Sequence, residues 1–305
     1  MTIVRCRMSI SLPISKSIAN RILLLRAIHG DELMPVSADM PDDVFILHDA
    51  LTRLREHKKG EPLTLDLKNC GTALRFLQVH LERCYPGEPI TLTGDARLLE
   101  RIGAPTTQTT SARILHGDNI PYSADESPYI TMSRRLASAY QPNMADSMER
   151  DWSAAAFWYE YVAIHGGELL LEGLTDDSLQ GDRIVADIFA EHFGVNTTFT
   201  PAGAEITNQA ISHHLAVDID FERTPDLYPA IALTCERLGI TLHATGTEHL
   251  AYKESNRLEA VAHHETRHDH RMAMALLVAG FPVDDTECIA KSYPTFLQQW
   301  QAISR

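Results

Sequence analysis

The chain has 305 residues, of which 44% are hydrophobic and 22% are charged, with a formal net charge of -14. This balance predicts a soluble globular protein of two domains and argues against a general nucleic-acid-binding surface. Five cysteines without a CxxC pair argue against a disulfide scaffold or a zinc ribbon. The N-terminus lacks a signal-peptide pattern and no apolar run approaches a membrane span, so we expect a cytoplasmic protein.

Strand-like and helix-like segments alternate along the chain, which predicts an α/β or interleaved α+β class. β-branched or alternating stretches predict strands, and Ala- and Leu-rich stretches with helical spacing predict helices. The polar, turn-rich segment 102–127 is interpreted as a loop or as the remains of lost elements. The predicted strands are 2–12, 62–67, 89–94, 168–173, 195–201, 214–221 and 239–246, and the predicted helices are 17–29, 43–56, 72–82, 152–164, 182–193, 226–237 and 270–279.

A polar turn runs directly into an apolar helix at five places, and each helix start is a candidate anion site. Helix N-termini carry free backbone N–H groups and a partial positive charge. In "KNCGTALRFL" (68–77), Gly71 allows close approach and Arg75 could bind phosphate or carboxylate. The alternative for this stretch is an ordinary loop followed by a helix with an exposed arginine. The five stretches are 14–28, 69–77, 149–163, 222–234 and 268–280.

Candidate anion-binding cations are dispersed along the chain rather than gathered in one loop. Neither a Walker A loop nor a GxGxxG motif after a strand is present, so a nucleotide-binding fold is not indicated. Dispersed cations suit a substrate with several anionic groups, although surface charges are the simpler interpretation of any one of them. The candidates are Lys16, Arg21, Arg75, Arg101, Arg257, Arg271 and Lys291.

The stretch "YKESNRLEAV" (252–261) predicts a helix on which Lys253 and Arg257 share one face, four residues apart. A carboxylate among cations stays ionised and can take or relay a proton, which makes Glu254 a candidate base and Asp226 a second one. The alternative is an ordinary amphipathic helix.

The stretch "HHETRHDHR" (263–271) raises the alternative of a metallohydrolase. His263, His264, His268 and His270 could in principle bind zinc or nickel. Their spacing matches no compact zinc motif and no cysteine pair is near. We therefore interpret the stretch as a polar loop that leads into helix 270–279, and we predict no metal site.

Nine motifs in this order resemble the family of 5-enolpyruvylshikimate-3-phosphate synthases, also called 3-phosphoshikimate 1-carboxyvinyltransferases. The resemblance runs from residue 12 to about 297. The sequence around "DWSAAAFWYE" and "TPDLYPA" is most similar to Bacteroides-type members. The motifs are "PISKSIANR", "NCGTALRFL", "LTGDARLLER", "DWSAAAFWYE", "SLQGDRIVAD", "TPDLYPAIAL", "YKESNRLEA", "DHRMAMAL" and "AKSYP".

The resemblance implies a two-lobed, inverted α/β barrel-like fold built from repeated βαβαββ units, with helix N-termini facing the cleft between the lobes. One lobe is expected at 15–148, and the other at 1–14 together with 149–305. The chain is expected to cross between the lobes near 12–15 and near 148–151.

The resemblance also implies roles for individual residues. Asp226 is expected to take the 5-hydroxyl proton, Glu254 to handle the proton at the phosphoenolpyruvate methylene, and Lys16 to lie near the enolpyruvyl group. The implied shikimate 3-phosphate contacts are Lys16, Ser17, Arg21, Tyr129, Asp226 and Lys253. The implied phosphoenolpyruvate contacts are Lys16, Gly71, Arg75, Arg101, Arg257, Arg271 and Lys291.

The implied reaction transfers the enolpyruvyl group to the 5-hydroxyl of shikimate 3-phosphate by addition and elimination, without a metal or organic cofactor. The expected partners are the two small-molecule substrates alone, bound by a monomer. A same-fold transferase acting on a UDP-amino sugar is the alternative, but it uses a catalytic cysteine in a mobile loop, and none of the five cysteines lies in such a loop.

The chain departs from the family pattern in three shortened stretches. A Ser-Ser-Gln motif that holds the 3-phosphate is missing before Ser127, a block is missing between Leu258 and His268, and the segment 141–148 is abbreviated. In addition, Ile102 follows Arg101 where proline is usual, and Asn256 replaces an aspartate. Either these stretches are omitted from a longer protein, which we favour, or the chain is a deletion variant that binds its ligands with impaired catalysis.

Overall fold

A computed structural model describes residues 8–37, 40–99, 106–142, 148–209 and 215–304. The chain divides into two compact units, residues 15–148 and residues 1–14 together with 149–305. Helices and sheets are mixed in both units, which confirms the predicted class. No helix among the described residues has the length and apolar character needed to cross a bilayer.

The unit 15–148 is mainly helical and contains a two-stranded parallel sheet. The apolar side of each long helix packs inward, as Leu23 and Leu24 do on the first helix and Phe76 and Leu77 on the third. Its strands are β2 (Leu63–Asp66) and β3 (Ile90–Thr93), and its helices are α1 (Lys16–His29), α2 (Asp42–Glu56), α3 (Gly71–Cys84), α4 (Ala96–Leu99), α5 (Thr107–Leu115) and α6 (Pro128–Ala139).

The second unit is built on a four-stranded sheet and a two-stranded parallel sheet. In the larger sheet the strand order is β1-β4-β6-β5, in which only the β1–β4 pair is parallel. Its strands are β1 (Met8–Ser11), β4 (Glu168–Glu172), β5 (Val195–Thr200), β6 (Gly203–Asn208), β7 (Ala216–Asp220) and β8 (Thr241–Thr245). Its helices are α7 (Trp152–His165), α8 (Val185–Phe193), α9 (Tyr228–Leu238), α10 (Arg257–His263), α11 (His270–Ala279) and α12 (Phe296–Ile303).

Helix α7 is the centre of this unit and packs against α8, α9 and α11. Its residues are apolar on nearly every side, and both Trp152 and Trp158 are fully buried. Glu160 lies in the same buried helix, and neither of its carboxylate oxygens has a hydrogen-bond partner among the described residues. An uncharged Glu160 is the form that such surroundings favour.

The two chain segments that border the 15–148 unit lie side by side within the second unit. Ile14 and Arg150 form an antiparallel β-bridge. The backbone N–H of Asp151 donates to the carbonyl of Pro13 over 3.0 Å, and Nη1 of Arg150 donates to the carbonyl of Leu12 over 2.9 Å. The 15–148 unit is therefore an insertion between two adjacent points of the other unit.

Several elements differ from the sequence prediction. Strand β6 was not predicted, because "GAEITN" begins with a glycine and contains only two apolar residues on its buried side. Helix α5 lies in the segment predicted as a loop. A capping box between Thr106 and Thr109 begins it, and Ala112 and Leu115 bury its inner face. Helices α4, α6 and α12 were likewise absent from the predicted helices, whereas α10 overlaps the helix predicted over 252–261.

Candidate functional site

Asp226 is the centre of a group of charged side chains in the unit formed by 1–14 and 149–305. Its Oδ1 accepts a hydrogen bond from Nη1 of Arg257 over 2.7 Å, and its Oδ2 accepts one from Nη2 of Arg271 over 3.1 Å. Nζ of Lys253 lies 3.5 Å from Oδ1. With Asp269 these residues form what we call the Asp226 cluster.

The beginnings of three helices bring this cluster together. Asp226 lies in the turn before α9, Arg257 is the first residue of α10, and Arg271 is the second residue of α11. Asp269 is the N-cap of α11, where its Oδ1 accepts the backbone N–H of Arg271 over 3.0 Å. Its Oδ2 accepts Nε of Arg257 over 2.9 Å, so the cap also orients the arginine.

The charges in the Asp226 cluster fix the protonation of its members. Burial alone would raise the pKa of Asp226, but Arg271, Lys253 and Arg257 outweigh it and hold that pKa well below the usual value. Burial, assisted by the two arginines, lowers the pKa of Lys253 against the opposing effect of Asp226. Asp226 is therefore ionised, and three donors surround it.

Residues 252–261 do not form the single helix that the sequence pattern predicted. A short 3-10 helix ends at Tyr252, and α10 begins only at Arg257. Asn256 interrupts the helix because its backbone is non-helical (φ -74°, ψ 94°) and its side chain accepts the N–H of Glu259 over 3.5 Å. Lys253 and Arg257 thus reach Asp226 from different elements rather than from one helical face.

Glu254 contacts a cation through one oxygen and an imidazole through the other. Oε1 lies 3.1 Å from Nζ of Lys291, and Oε2 lies 2.8 Å from Nδ1 of His270. His270 is completely buried at the start of α11. We call these three residues the Glu254 cluster. A carboxylate between an ammonium group and an imidazole can receive and return a proton.

The structure does not bring the four histidines of 263–271 together as metal ligands. Nε2 of His264 lies 2.9 Å from Glu236, and Nδ1 of His268 lies 2.7 Å from Asp285. Within the described ranges, no metal-compatible group contains more than one of the four, and that one is His270. The geometry therefore gives no support to the metallohydrolase alternative.

Asp182 is a candidate functional residue that the sequence reasoning missed. It is buried, and the hydroxyl of Ser153 donates a short hydrogen bond to its Oδ2. Burial, together with the nearby carboxylate of Asp226, raises the pKa of Asp182 to about 7. The available signal was the motif "SLQGDRIVAD", in which Asp182 is the first residue of the helix predicted over 182–193.

In the unit 15–148, Arg21 on α1 is completely buried and ties several elements together. Its guanidinium carbon lies 5.6 Å from the ring centre of Phe76 and 5.8 Å from that of Tyr129. Burial lowers the pKa of Arg21 to about 10, so it remains charged at neutral pH. Its hydrogen-bond acceptors are the Ser133 hydroxyl, the Ser17 carbonyl, the Gln108 amide oxygen, the Ser111 hydroxyl and the Tyr129 carbonyl, at 2.7 to 3.3 Å.

These contacts change the interpretation of Arg21. Five protein acceptors already engage the guanidinium, so contact with a phosphate would require an exchange of partners. In this structure Arg21 instead fixes Ser17 and Tyr129, both of which were predicted to contact the substrate. Gln108 and Ser111, from a segment predicted as a loop, are partners that the sequence did not reveal.

The other predicted residues of this unit lie at helix starts. Nζ of Lys16, the first residue of α1, lies 3.0 Å from Oδ2 of Asp43. Gly71 is the first residue of α3, and Arg75 is buried one turn later. The N-cap of α3 is Cys70, whose Sγ accepts the N–H of Ala73 over 3.4 Å. Arg101 lies outside the described residues.

Comparisons with known proteins agree on one family. The sequence model described as EPSP synthase (3-phosphoshikimate 1-carboxyvinyltransferase) matches residues 138–265 and 260–300. A 3-phosphoshikimate 1-carboxyvinyltransferase of Bacteroides fragilis is 26% identical over 392 residues, covering 94% of this chain and 93% of the relative. One from Methanosphaerula palustris is 25% identical, covering 96% and 95%. Since these alignments are longer than 305 residues, the relatives contain stretches without a counterpart here.

The fold is also similar to that of an enzyme whose structure has been solved. The chain superimposes on the EPSP synthase from Acinetobacter baumannii with a TM-score of 0.62 and 17% identity, covering 97% of this chain and 95% of the other. At this identity the similarity concerns the fold, and it extends over both compact units.

Proposed function

Because the chain belongs to the EPSP synthase family, we propose that it transfers the enolpyruvyl group of phosphoenolpyruvate to the 5-hydroxyl of shikimate 3-phosphate, with release of phosphate. The observation that carries the proposal is the Glu254 cluster, a carboxylate held between Lys291 and His270. The substrates are small anionic molecules, and the reaction belongs to aromatic biosynthesis. We further propose that the enzyme is a cytoplasmic monomer.

The Asp226 cluster binds anionic groups and holds a carboxylate ready for the hydroxyl. Asp226 is a weak base while Arg271, Lys253 and Arg257 hold its pKa low. A bound phosphate or carboxylate shares the charge of Lys253, Arg257 and Arg271, which weakens their hold on Asp226 and raises its basicity. Substrate binding thereby converts Asp226 from an ion-pair partner into the acceptor of the 5-hydroxyl proton.

The Glu254 cluster handles the proton at the methylene carbon. As the 5-hydroxyl oxygen bonds to C2 of phosphoenolpyruvate, C3 takes a proton from the protonated Glu254, and a tetrahedral intermediate results. Loss of phosphate and return of a C3 proton to Glu254 then restore the double bond. Nδ1 of His270 exchanges the proton with Glu254, and Lys291 stabilises the carboxylate form.

In the 15–148 unit, the residues that we propose to contact anionic groups include Lys16, Gly71 and Arg75. Gly71 is the first residue of α3, where backbone N–H groups can donate hydrogen bonds to an anion, and Arg75 adds a positive charge one turn along the helix. Lys16 is paired with Asp43, so an anion must compete for its ammonium group. Ser17, Tyr129 and Arg101 complete the proposed contacts, and Arg21 positions the first two.

The test is phosphate release by the purified protein from shikimate 3-phosphate and phosphoenolpyruvate, with the enol-ether product identified by mass spectrometry. Release should require both substrates and should fall strongly in Glu254→Gln. Binding of both substrates without product would instead identify a binding protein with impaired catalysis. That is the alternative raised by the three shortened stretches of the sequence. Light scattering of the same preparation measures the molar mass and so tests whether the protein is a monomer.

A further inference from the structure

His80, Cys84 and His116 form a compact group of metal-binding side chains in the unit 15–148, apart from every residue used above. His80 and Cys84 are four residues apart on α3 and share one face, and His116 is the C-cap of α5. Nδ1 of His80 lies 3.3 Å from Nε2 of His116 and 3.7 Å from Sγ of Cys84. We call these residues the His80 cluster; their ligand atoms all lie within 4.8 Å of one another.

The separations are those of the edges of a tetrahedral zinc site. Bonds of ~2.0–2.1 Å to nitrogen and ~2.3 Å to sulfur place two nitrogens ~3.3 Å apart and a nitrogen and a sulfur ~3.6 Å apart. The observed distances of 3.3 Å and 3.7 Å agree with both values. Two of the three separations therefore match a zinc site, and the third, between Cys84 and His116, is at most 4.8 Å.

Hydrogen bonding alone explains this arrangement poorly. Nδ1 of His80 is the common atom of both contacts, and a neutral imidazole nitrogen carries either one hydrogen or one lone pair. It can therefore satisfy His116 or Cys84, but not both. A metal ion at the centre would engage all three donor atoms at once.

The surroundings of the His80 cluster suit a metal ion that has three protein ligands and one coordination position open to solvent. His80 is buried, and its ring lies against that of His116. Cys84 is exposed, which gives a metal ion access from solvent. The neighbouring cation Arg83 is held by Asp118, with Nη2 at 2.7 and 2.8 Å from its two oxygens.

We propose that His80, Cys84 and His116 bind one zinc ion, with water at the fourth position. Two imidazoles and one thiolate are a ligand set that Zn²⁺ prefers, and binding releases the thiol proton of Cys84 to solvent. The ion would join the C-terminal end of α3 to the end of α5. It therefore stabilises this unit without taking part in the transferase reaction.

Cobalt is the probe for this site, because a thiolate ligand gives Co²⁺ a charge-transfer band and tetrahedral geometry gives it strong visible bands. The chelator-treated full-length protein should bind one equivalent of Co²⁺ with both signals, and one equivalent of Zn²⁺ should abolish them. Cys84→Ser should remove the charge-transfer band and weaken Zn²⁺ binding at least tenfold. Cys288→Ser, a change at a half-buried cysteine in the other unit, is the matched control and should keep both signals.

Two further measurements make the result decisive. Glu254→Gln should leave the cobalt spectrum unchanged, since the group of Glu254, Asp269 and His270 is the other metal-compatible group among the described residues and contains no thiol. Zn²⁺ should raise the thermal midpoint of the wild type but not of Cys84→Ser. A wild type without the charge-transfer band, or a spectrum that survives in Cys84→Ser, overturns the proposal.

Discussion

At the scale of single residues, the two carboxylates of the candidate active site have different surroundings. Asp226 is held by three cations, whereas Glu254 contacts one cation and one imidazole that can itself carry a proton. The difference supports the proposed roles of Asp226 in binding and in the first proton transfer, and of Glu254 in repeated exchange of a proton. Each assignment can be tested by a nearly isosteric change.

We expect Glu254→Gln to lower kcat by about a hundredfold, since a positioned acid–base group typically contributes that much. The amide keeps the shape of the side chain but cannot exchange the proton with His270, so KM should change much less. Steady-state kinetics provide the measurement. Glu259→Gln, an exposed change five residues along the chain, should retain full activity. A Glu254→Gln enzyme with wild-type kcat would contradict the role of Glu254.

Glu160 provides a second residue-scale prediction, which concerns stability. Burial raises the pKa of Glu160 well above its ordinary value. Below the unfolded pKa of about 4.3 both states are protonated, and above it only the unfolded state ionises, so stability is lost as the pH rises. Glu160→Gln should therefore become increasingly more stable than the wild type, by up to ~1.4 kcal/mol per pH unit above about pH 4.

Urea unfolding between pH 4 and pH 8 measures this difference. Glu191→Gln, an exposed change on α8, should show no such trend with pH. A constant difference between wild type and Glu160→Gln across this range would mean that Glu160 is ionised in the folded protein.

The sequence predicted which residue types matter in the site better than it predicted their contacts. Asp226 and Arg271 stand at helix starts that the local pattern predicted, whereas Glu254 and Arg257 were predicted on one helix, which in the structure begins only at Arg257. The pairing of Glu254 with His270 depends on a short connection between α10 and α11, in which His264, Arg267 and His268 have positive φ angles. No local hydrophobic period predicts such a connection. Partners supplied by distant elements, such as Gln108 for Arg21, depend on tertiary packing alone.

At the scale of elements, strand β6 shows why a local pattern can fail. Its first residue, Gly203, has φ 146°, and a Cβ there would lie 2.1 Å from the carbonyl oxygen of Leu171 on β4. The close approach of β4 and β6 therefore requires glycine at 203, and glycine is a residue that disfavours a strand in sequence-based prediction. Helix α5 is the converse case, since its threonines disfavour a helix and packing against α3 and α6 maintains it.

We expect Gly203→Ala to destabilise the protein by more than the ~1–2 kcal/mol that alanine typically costs at a left-handed glycine position. The added methyl group must displace the β4 backbone, because the atom that it meets is a carbonyl oxygen rather than a flexible side chain. Gly239→Ala is the matched control, since Gly239 has φ 70° and nothing within 4 Å of its Cβ position. Equal urea midpoints for the two variants would show that the β4–β6 contact can relax.

At the scale of the whole molecule, the unit formed by 1–14 and 149–305 has a core of its own. Every buried residue in the large apolar cluster, from Ile10 to Phe296, belongs to this unit. All three tryptophans, Trp152, Trp158 and Trp300, lie in it as well. Their fluorescence therefore reports the unfolding of this unit.

We expect this unit to fold without residues 15–148 when a short Gly-Ser linker joins Ile14 to Glu149. The bridge between Ile14 and Arg150 already holds the two ends together, so the linker adds little strain. The shortened chain should unfold cooperatively in urea, with a tryptophan-detected midpoint close to that of the full chain. A gradual, non-cooperative fluorescence change would show that the inserted unit is needed for folding.

The pairing of β1 with β4 has a consequence for the order of events during synthesis. Met8 pairs with Leu169, so the first described strand has no partner until the ribosome has made the whole inserted unit. At about 5–20 residues per second, β1 waits on the order of 10 to 30 s, while residues 15–148 can already fold. Stalled nascent chains should therefore show protease-resistant 15–148 with a cleavable N-terminal strand, and the strand should become protected only when β4 has left the exit tunnel.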